Sequence, residues 1–434
     1  MSDPGYYRYP TVFGDNIVFT CEDDLWSVSL SGGKARRLTA GHGECSMAKF
    51  SPDGTHIAFI GRDEGHPEVF VIPAEGGLSR RLTYMGGLTL NVCGWTLDGK
   101  EILFASEAKA PFFRHSEGFA VGLDGGLPRP LNLGHVQSIS YGAKNRCAIG
   151  RNNNDPARWK RYRGGTAGEI WLDAAGDGKF KQLTGIAGNM VMPMWIGDSA
   201  YFLSDHDGTG NLYSCQPDGS DVKQHTHHTD YFVRFPSTDG QRIVYTAGAD
   251  VYLLDTKGGE SRKIEIISPS TTTQVARKFV EAKDNLEHFA PHPKGHSLGI
   301  IARGQPLTLG NWEGAVVQHG DGSRVRYRNV EWLPDGERFV VLSDLAGFER
   351  IELHRQDQTA EPVVITDKEF GRVIEMRAAP ASNMVALSNH RQELILVDID
   401  SKKVKVLDRS PANRITDLAW SPDGRWIAYS YSPV

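Results

Sequence analysis

The stretch Trp420-Ser421-Pro422-Asp423-Gly424 is one copy of a recurring motif, in which an aromatic residue is followed three positions later by Asp-Gly. Other copies begin at Phe50, Trp95 and Trp332. A second motif begins with two glycines and recurs at residues 32–39, 76–83 and 125–132. Its period of roughly 40–50 residues is the length of one four-stranded blade of a β-propeller. The repeats therefore predict an all-β propeller fold.

Short apolar runs come in groups of four between these motifs. In the first group the runs cover residues 11–13, 16–20, 25–30 and 36–39, and turns rich in glycine and acidic residues separate them. Such runs, bounded by turn residues, are typical of β-strands. Six groups of this kind precede residue 268. We therefore expect residues 1–268 to form a six-bladed β-propeller.

A polar stretch, residues 268–273, then interrupts the pattern and is predicted to be a linker. The pattern restarts at Phe289, gives three further groups, and ends in a fourth group that begins at Ile415 and has two strands. Residues 269–434 are thus expected to form the first three and a half blades of an incomplete second propeller. Because propellers depend on ring closure, we expect the chain to be the N-terminal part of a longer protein.

The repeated residues are predicted to be structural. Asp-Gly suits a tight reversal between two strands, because glycine accepts a positive φ and aspartate bonds to nearby backbone N–H groups. The aromatic residues Phe50, Trp95, Trp332 and Trp420 are expected to pack between blades. The most visible feature of the sequence therefore indicates a scaffold and no catalytic chemistry.

Composition excludes several partners. The net charge of −5 gives no basic footprint for nucleic acid. No apolar run approaches the roughly 18 residues of a membrane span, and residues 1–10 do not resemble a targeting signal. The five cysteines are odd in number and dispersed, which favours free thiols in a reducing cytoplasm.

The sequence contains no known catalytic or cofactor-binding motif, so no residue of this chain is predicted to be catalytic or to bind a cofactor. Two groups of histidines are candidate metal ligands: His225, His227 and His228, and His288, His292 and His296. Pro291 and Pro293 exclude the helix that would align the second group. We expect both groups to be structural or solvated, and residues 205–208 to form a turn in preference to a calcium site.

Three segments give a more specific indication. Residues 159–171, which contain Arg-Tyr-Arg-Gly-Gly-Thr, and residues 21–26 and 130–134 resemble the tricorn protease family. The resemblance extends from about Tyr7 to the last residue. It implies a six-bladed propeller, a seven-bladed propeller, a PDZ-like domain and serine peptidase domains. The family's catalytic serine and histidine would all lie beyond this chain.

The resemblance also implies a function. Members of the family are large cytoplasmic homo-oligomers, hexameric rings that degrade oligopeptides, and their propellers are thought to gate peptide passage. This chain is accordingly expected to be the non-catalytic propeller region of such a serine peptidase, with peptides and further copies of the protein as partners.

The inserted segment at residues 152–165 contains the best candidate site. Arg161, Tyr162 and Arg163 combine charged donors with an aromatic face, which suits peptide carbonyls or a carboxylate. The alternative is that they brace this segment against a neighbouring blade or subunit.

Two other classes of protein remain open. One is a self-sufficient TolB-like propeller that binds protein partners. The other is the propeller of a prolyl-oligopeptidase-like enzyme, for which a single propeller is expected, whereas a second one begins here.

Overall fold

Nearly all regular structure in the computed structural model is β-sheet, within the residues that it describes, 5–112, 114–270, 280–322 and 325–432. The chain forms two compact units, Met1–Gln274 and Val275–Val434. Residues 271–273 of the predicted linker lie outside the described part. Across the described ranges, no helix is long and apolar enough to cross a membrane.

The first unit contains six four-stranded antiparallel sheets, blades 1 to 6. Blade 1 has β1 (Arg8–Phe13), β2 (Asn16–Cys21), β3 (Asp24–Ser29) and β5 (Arg36–Arg37), with β4 (Gly33–Lys34) outside the sheet. Blade 2 has β6 (Ser46–Phe50), β7 (His56–Gly61), β8 (Glu68–Pro73) and β9 (Arg80–Arg81). Blade 3 has β10 (Leu90–Trp95), β11 (Glu101–Ser106), β12 (Glu117–Gly122) and β13 (Arg129–His135).

The other three blades follow the same order. Blade 4 has β14 (Ser138–Tyr141), a 3-10 turn (Ala143–Asn145), β15 (Cys147–Arg151), β16 (Glu169–Asp173) and β17 (Lys181–Gln182). Blade 5 has β18 (Met190–Ile196), β19 (Ser199–Ser204), β20 (Asn211–Cys215) and β21 (Lys223–Gln224). Blade 6 has β22 (Arg234–Thr238), β23 (Arg242–Ala247), β24 (Asp250–Asp255) and β25 (Arg262–Lys263), and β26 (Ile266–Ile267) follows it.

These six blades close into a ring. The first strand of each blade lies beside the first strand of the next, and β22 of blade 6 lies beside β1 of blade 1. The first strands are therefore the innermost ones. Outside the blades, β26 pairs in parallel with β4, with Ile266 opposite Gly33 and Ile267 opposite Lys34. We call this two-residue pairing the parallel clasp. The predicted six-bladed propeller is confirmed.

Burial explains why the strands of the blades appear in the sequence as runs of apolar residues. The second strand of a blade is buried along almost its whole length, as in β7, β11 and β19. Both of its faces are covered by neighbouring blades, so polar residues do not alternate with apolar ones. In one such core, Ile102 and Phe104 of blade 3 belong to the same buried cluster as Ala58 and Ile60 of blade 2. Burial between blades therefore supplies the main stabilisation of the ring.

The second unit repeats the design. After α1 (Ala282–Asn285), blade 7 has β27 (Leu286–Pro291), β28 (Ser297–Ala302), β29 (Gln305–Gly310) and β30 (Val317–Gln318). Blade 8 has β31 (Tyr327–Trp332), β32 (Arg338–Ser343), β33 (Arg350–Arg355) and β34 (Val363–Val364). Blade 9 has β35 (Val373–Ala378), β36 (Met384–Asn389), β37 (Glu393–Asp398) and β38 (Val404–Arg409). A two-stranded sheet follows, with β39 (Thr416–Trp420) and β40 (Ile427–Ser430).

The Asp-Gly motifs form the predicted turns. In blade 2 the Asp53 carboxylate accepts hydrogen bonds from the Ser51 hydroxyl at 2.6 Å and the Thr55 N–H at 3.0 Å. These bonds stabilise the charged form and lower the pKa of Asp53 to about 2. Gly54 follows with a φ of +72°, a conformation that favours glycine.

Candidate functional site

The predicted site lies on the loop that joins β15 to β16 of blade 4, residues 152–168, here called the blade-four loop. The loop is fastened at its base, where the Asn152 side chain donates to the Ala167 carbonyl at 3.0 Å. Farther along, the Asp155 carboxylate forms an ion pair with Arg234 of blade 6, whose Nε lies 3.2 Å from Oδ1. The loop therefore bridges from its own blade to another blade of the ring.

Asp205 of blade 5 is the main anchor of this loop. Its side chain is fully buried and accepts from the Arg161 backbone N–H at 2.6 Å and from the Arg163 guanidinium at 3.3 Å. The N–H and side-chain amide of Asn189 each donate to the same carboxylate at 3.0 Å. A buried carboxylate needs such partners, because desolvation is otherwise costly. The Arg163 side chain is thus committed to an intramolecular ion pair, although 45% of it stays exposed.

The other two predicted residues are also exposed, and they differ from Arg163 in their contacts. Tyr162 is 37% exposed, and its ring lies 5.4 Å from that of Trp159. Arg161 has a φ of +58°, so its N–H points to Asp205 while its side chain is exposed. The three residues therefore lie together on one loop but differ in environment.

Three of the candidate metal-ligating histidines form hydrogen bonds within the protein. His225 Nε2 lies 2.8 Å from the Ser214 hydroxyl, and His228 Nε2 lies 3.1 Å from the Tyr245 hydroxyl. His292 Nε2 lies 2.7 Å from the Gly336 carbonyl oxygen. In the described part of the chain, no group of three or more His, Cys, Asp or Glu residues is placed to hold a metal ion. Residues 205–208 lie in the turn between β19 and β20.

A central cavity of about 350 Å³ lies among the innermost strands of all six blades. Its lining combines apolar residues with neutral polar ones, one lysine and one aspartate, Asp239. The apolar lining includes Met47, Met192 and Phe235, and the polar lining includes Lys49, Asn91, Cys93, Gln137, Ser138 and Asn154.

Lys49 was missed by the sequence reasoning, although a signal exists. It lies in β6 directly before Phe50, the aromatic residue of the repeated motif, and so on an innermost strand. Burial lowers the pKa of the Lys49 ammonium to about 8 and raises the pKa of the nearby Cys93 thiol to about 12. A charged residue directly before the aromatic residue of the motif lies on an innermost strand, so such a residue is a candidate for the lining of the central cavity.

The fold and cavity define this chain as a propeller region whose first ring encloses a central cavity. Comparison with known proteins identifies its family. The Tricorn protease N-terminal beta propeller domain matches residues 4–260, and the Tricorn protease second beta propeller domain matches residues 286–433. The chain belongs to the tricorn protease family.

Individual relatives agree with this assignment. A tricorn protease homolog of Saccharolobus solfataricus is 32% identical over 98% of this chain and 39% of its own length. Tricorn protease homolog 1 of Streptomyces coelicolor is 34% identical over 99% of this chain and 41% of its own length. A crystal structure of the tricorn protease superposes with a TM-score of 0.67, at 28% identity, over 98% of this chain and 42% of that one. The chain therefore spans about two fifths of the length of these relatives.

Proposed function

We infer that this chain is the non-catalytic propeller region of a tricorn-like serine peptidase, and that the central cavity of its first unit gates oligopeptides on their way to or from a catalytic chamber. The observation that carries this proposal is the cavity among all six innermost strands. Its largely uncharged lining suits peptides of mixed sequence. Membership of the family supports a peptidase elsewhere in the whole protein. The TolB-like alternative has less support, since a TolB homolog of Chlorobium luteolum matches 18% of this chain.

The proposal extends to location and assembly. We place the protein in the cytoplasm as a homo-oligomer, a hexamer by family resemblance, with oligopeptides as its substrates. Free thiols at all five cysteines suit a reducing compartment. Arg163 would brace the blade-four loop, while Arg161 and Tyr162 would be available for peptide or subunit contacts. Light scattering of the full-length protein tests the assembly, and a monomeric mass would contradict it.

Gating is tested by narrowing the cavity in the full-length protein. Leu97 lines the cavity and is 50% exposed, so a cysteine there can carry a bulky maleimide label. Cys93→Ser would be the background, because Cys93 also lines the cavity. The matched control is Leu127→Cys, at a residue that is 95% exposed and is not part of the cavity lining.

Labelling at position 97 is expected to lower kcat/KM for long oligopeptides, whereas labelling at position 127 leaves it unchanged. Equal rates for the two labelled proteins would contradict gating through this cavity. Absence of peptidase activity in the full-length protein would contradict the assignment as a serine peptidase.

A further inference from the structure

The outer part of the blade-four loop carries basic side chains without acidic partners. Residues 156–166 contain four basic residues and no acidic one, although acidic residues outnumber basic ones in the whole chain. Arg163 belongs to the ion pair described above. The side chains of Arg158, Lys160 and Arg161 are exposed, and none of them forms an ion pair or a hydrogen bond with another residue in the described part of the chain.

Two exposed aromatic side chains lie among these cations. Trp159 is 41% exposed and Tyr162 is 37% exposed, and the Arg158 guanidinium lies 5.8 Å from the centre of the Trp159 ring. Tryptophan, tyrosine and arginine are the residues that most often dominate the binding energy of protein interfaces. We call residues 158–162 the basic aromatic patch.

The backbone beneath the patch is held in place by the protein itself. The Arg161 N–H donates to the Asp205 carboxylate at 2.6 Å, and Asp155, just before the patch, is paired with Arg234 of the innermost strand β22. A partner therefore need not order the loop, which lowers the entropic cost of association. The same ion pair brings the loop to the innermost strands, where the neighbouring Phe235 lines the central cavity.

The chemistry of the patch restricts its partner. Its three cations attract carboxylates, and its two rings offer apolar contact to neighbouring side chains. Asp207 and Asp230 lie on adjacent loops, but neither is paired with these cations. Single-stranded nucleic acid also combines negative charge with stacking surfaces, but it is bound along an extended basic groove, and a chain of net charge −5 has no such footprint.

We propose that the basic aromatic patch selects oligopeptides that carry acidic side chains next to apolar ones. Carboxylates of internal glutamates and aspartates accept from Arg158, Lys160 and Arg161, and the apolar side chains between them pack on Trp159 and Tyr162. No free end of the peptide takes part. Because opposite charges speed encounter, the patch raises the local concentration of such peptides beside the cavity. This inference rests on the proposed function, to which it gives a substrate class.

Peptides without free ends test the proposal apart from hydrolysis. The probe is a hexapeptide of glutamate and leucine, with a neutral fluorophore at its N-terminus and an amide at its C-terminus. A second probe has glutamine in place of every glutamate. Fluorescence anisotropy with the full chain measures both affinities. The patch variant is Arg158→Gln/Lys160→Gln/Arg161→Gln, which keeps the backbone N–H that donates to Asp205.

A matched control separates the place of the charges from their number. It is Lys100→Gln/Lys179→Gln/Lys223→Gln, which removes as many charges at exposed lysines outside the blade-four loop. At low salt the acidic probe is expected to bind the unaltered protein about tenfold or more tightly than the glutamine probe, as three exposed ion pairs together allow. The patch variant should lose this preference, and the control should keep it.

Further outcomes decide the role of the patch. Added salt should weaken binding of the acidic probe, because exposed charges are screened. Trp159→Ser should weaken both probes, because each contains leucine. Equal affinity of the two probes for the unaltered protein, or a preference that the patch variant retains, overturns the proposal and leaves gating untouched. Tighter binding of a single-stranded oligonucleotide of the same charge than of the acidic peptide also overturns it.

Discussion

The tryptophans of the repeated motif join neighbouring blades by a directed bond as well as by burial. The indole N–H of Trp95 donates to the Lys49 carbonyl at 3.0 Å, and that of Trp332 donates to the Ala290 carbonyl at 3.2 Å. Trp420 repeats the contact with the Arg377 carbonyl at 3.1 Å. In each case the acceptor belongs to the innermost strand of the preceding blade. This position therefore fixes the register between adjacent blades.

Two substitutions of Trp332 distinguish the stabilisation by its indole hydrogen bond from the stabilisation by its burial. Trp332→Phe keeps an aromatic ring but leaves the Ala290 carbonyl without its donor, so we expect a loss of about 1–2 kcal/mol in the free energy of unfolding. Trp332→Ala also opens a cavity and should cost about 3–5 kcal/mol. Urea unfolding measures both losses. The control is Trp312→Phe, at a residue 94% exposed; equal midpoints for the two phenylalanine variants would refute the bond's contribution.

The blade-four loop shows how one buried carboxylate orders a long connection. Asp205 lies in the turn between β19 and β20, and the donors around it come from the blade-four loop and from the segment before β18. The adjacent Asp155 pair adds a second attachment, to blade 6. Order in the loop therefore depends on neighbouring blades and not on strand pairing of its own.

Loss of that carboxylate should release the loop. Asp205→Asn removes the negative charge and one of two acceptor oxygens, so Arg163 and the Arg161 N–H lose their shared partner. Limited digestion with trypsin should then cleave after Arg161 and Arg163 about tenfold faster or more. Asp207→Asn, in the same turn but 61% exposed, should digest like the unaltered protein. If both variants resist cleavage equally, the anchoring role is wrong.

The strands and turns of the blades can be predicted from the sequence, whereas the long-range contacts of Asp205 cannot. Strand runs such as residues 16–20 are dictated by burial on both faces, and Asp53-Gly54 is dictated by turn geometry, so both leave a local pattern. Asp205 was recognised as part of a turn, but its partners lie 42 and 44 residues away in the chain and leave no local pattern. Lys49 was overlooked because the central cavity that it lines exists only once the ring has closed.

At the scale of the whole molecule, the first ring is closed by contacts between blade 1 and blade 6, which share a buried apolar cluster. All four strands of blade 1 come from residues before 38, and all four of blade 6 come from residues after 233. The parallel clasp joins the two outer edges, where the Gly33 N–H donates to the Glu265 carbonyl and the Ala35 N–H to the Ile267 carbonyl, each at 2.8 Å. Sequence patterns do not reveal it, because two residues show no periodicity.

Two neighbouring glycines allow the clasp to be tested. Both have a positive φ, but a Cβ on Gly32 would lie 2.5 Å from the Glu265 carbonyl oxygen, whereas a Cβ on Gly33 would meet no atom within 4 Å. Gly32→Ala should therefore part the clasp and destabilise the ring by more than Gly33→Ala, which carries the backbone strain alone. Amide hydrogen exchange should rise at residues 33–35 and 264–267 in Gly32→Ala. Equal exchange in both variants would contradict this account.

Every blade of the first unit is built from one continuous segment of the chain. One segment of the gene therefore encodes one complete blade. Duplication or deletion of a gene segment one blade long would leave all remaining sheets with their own strands. A ring that closed by sharing strands between its first and last blades would lose part of a sheet in such an event. Because the clasp lies outside the blade sheets, the strands of each sheet do not depend on the number of blades in the ring.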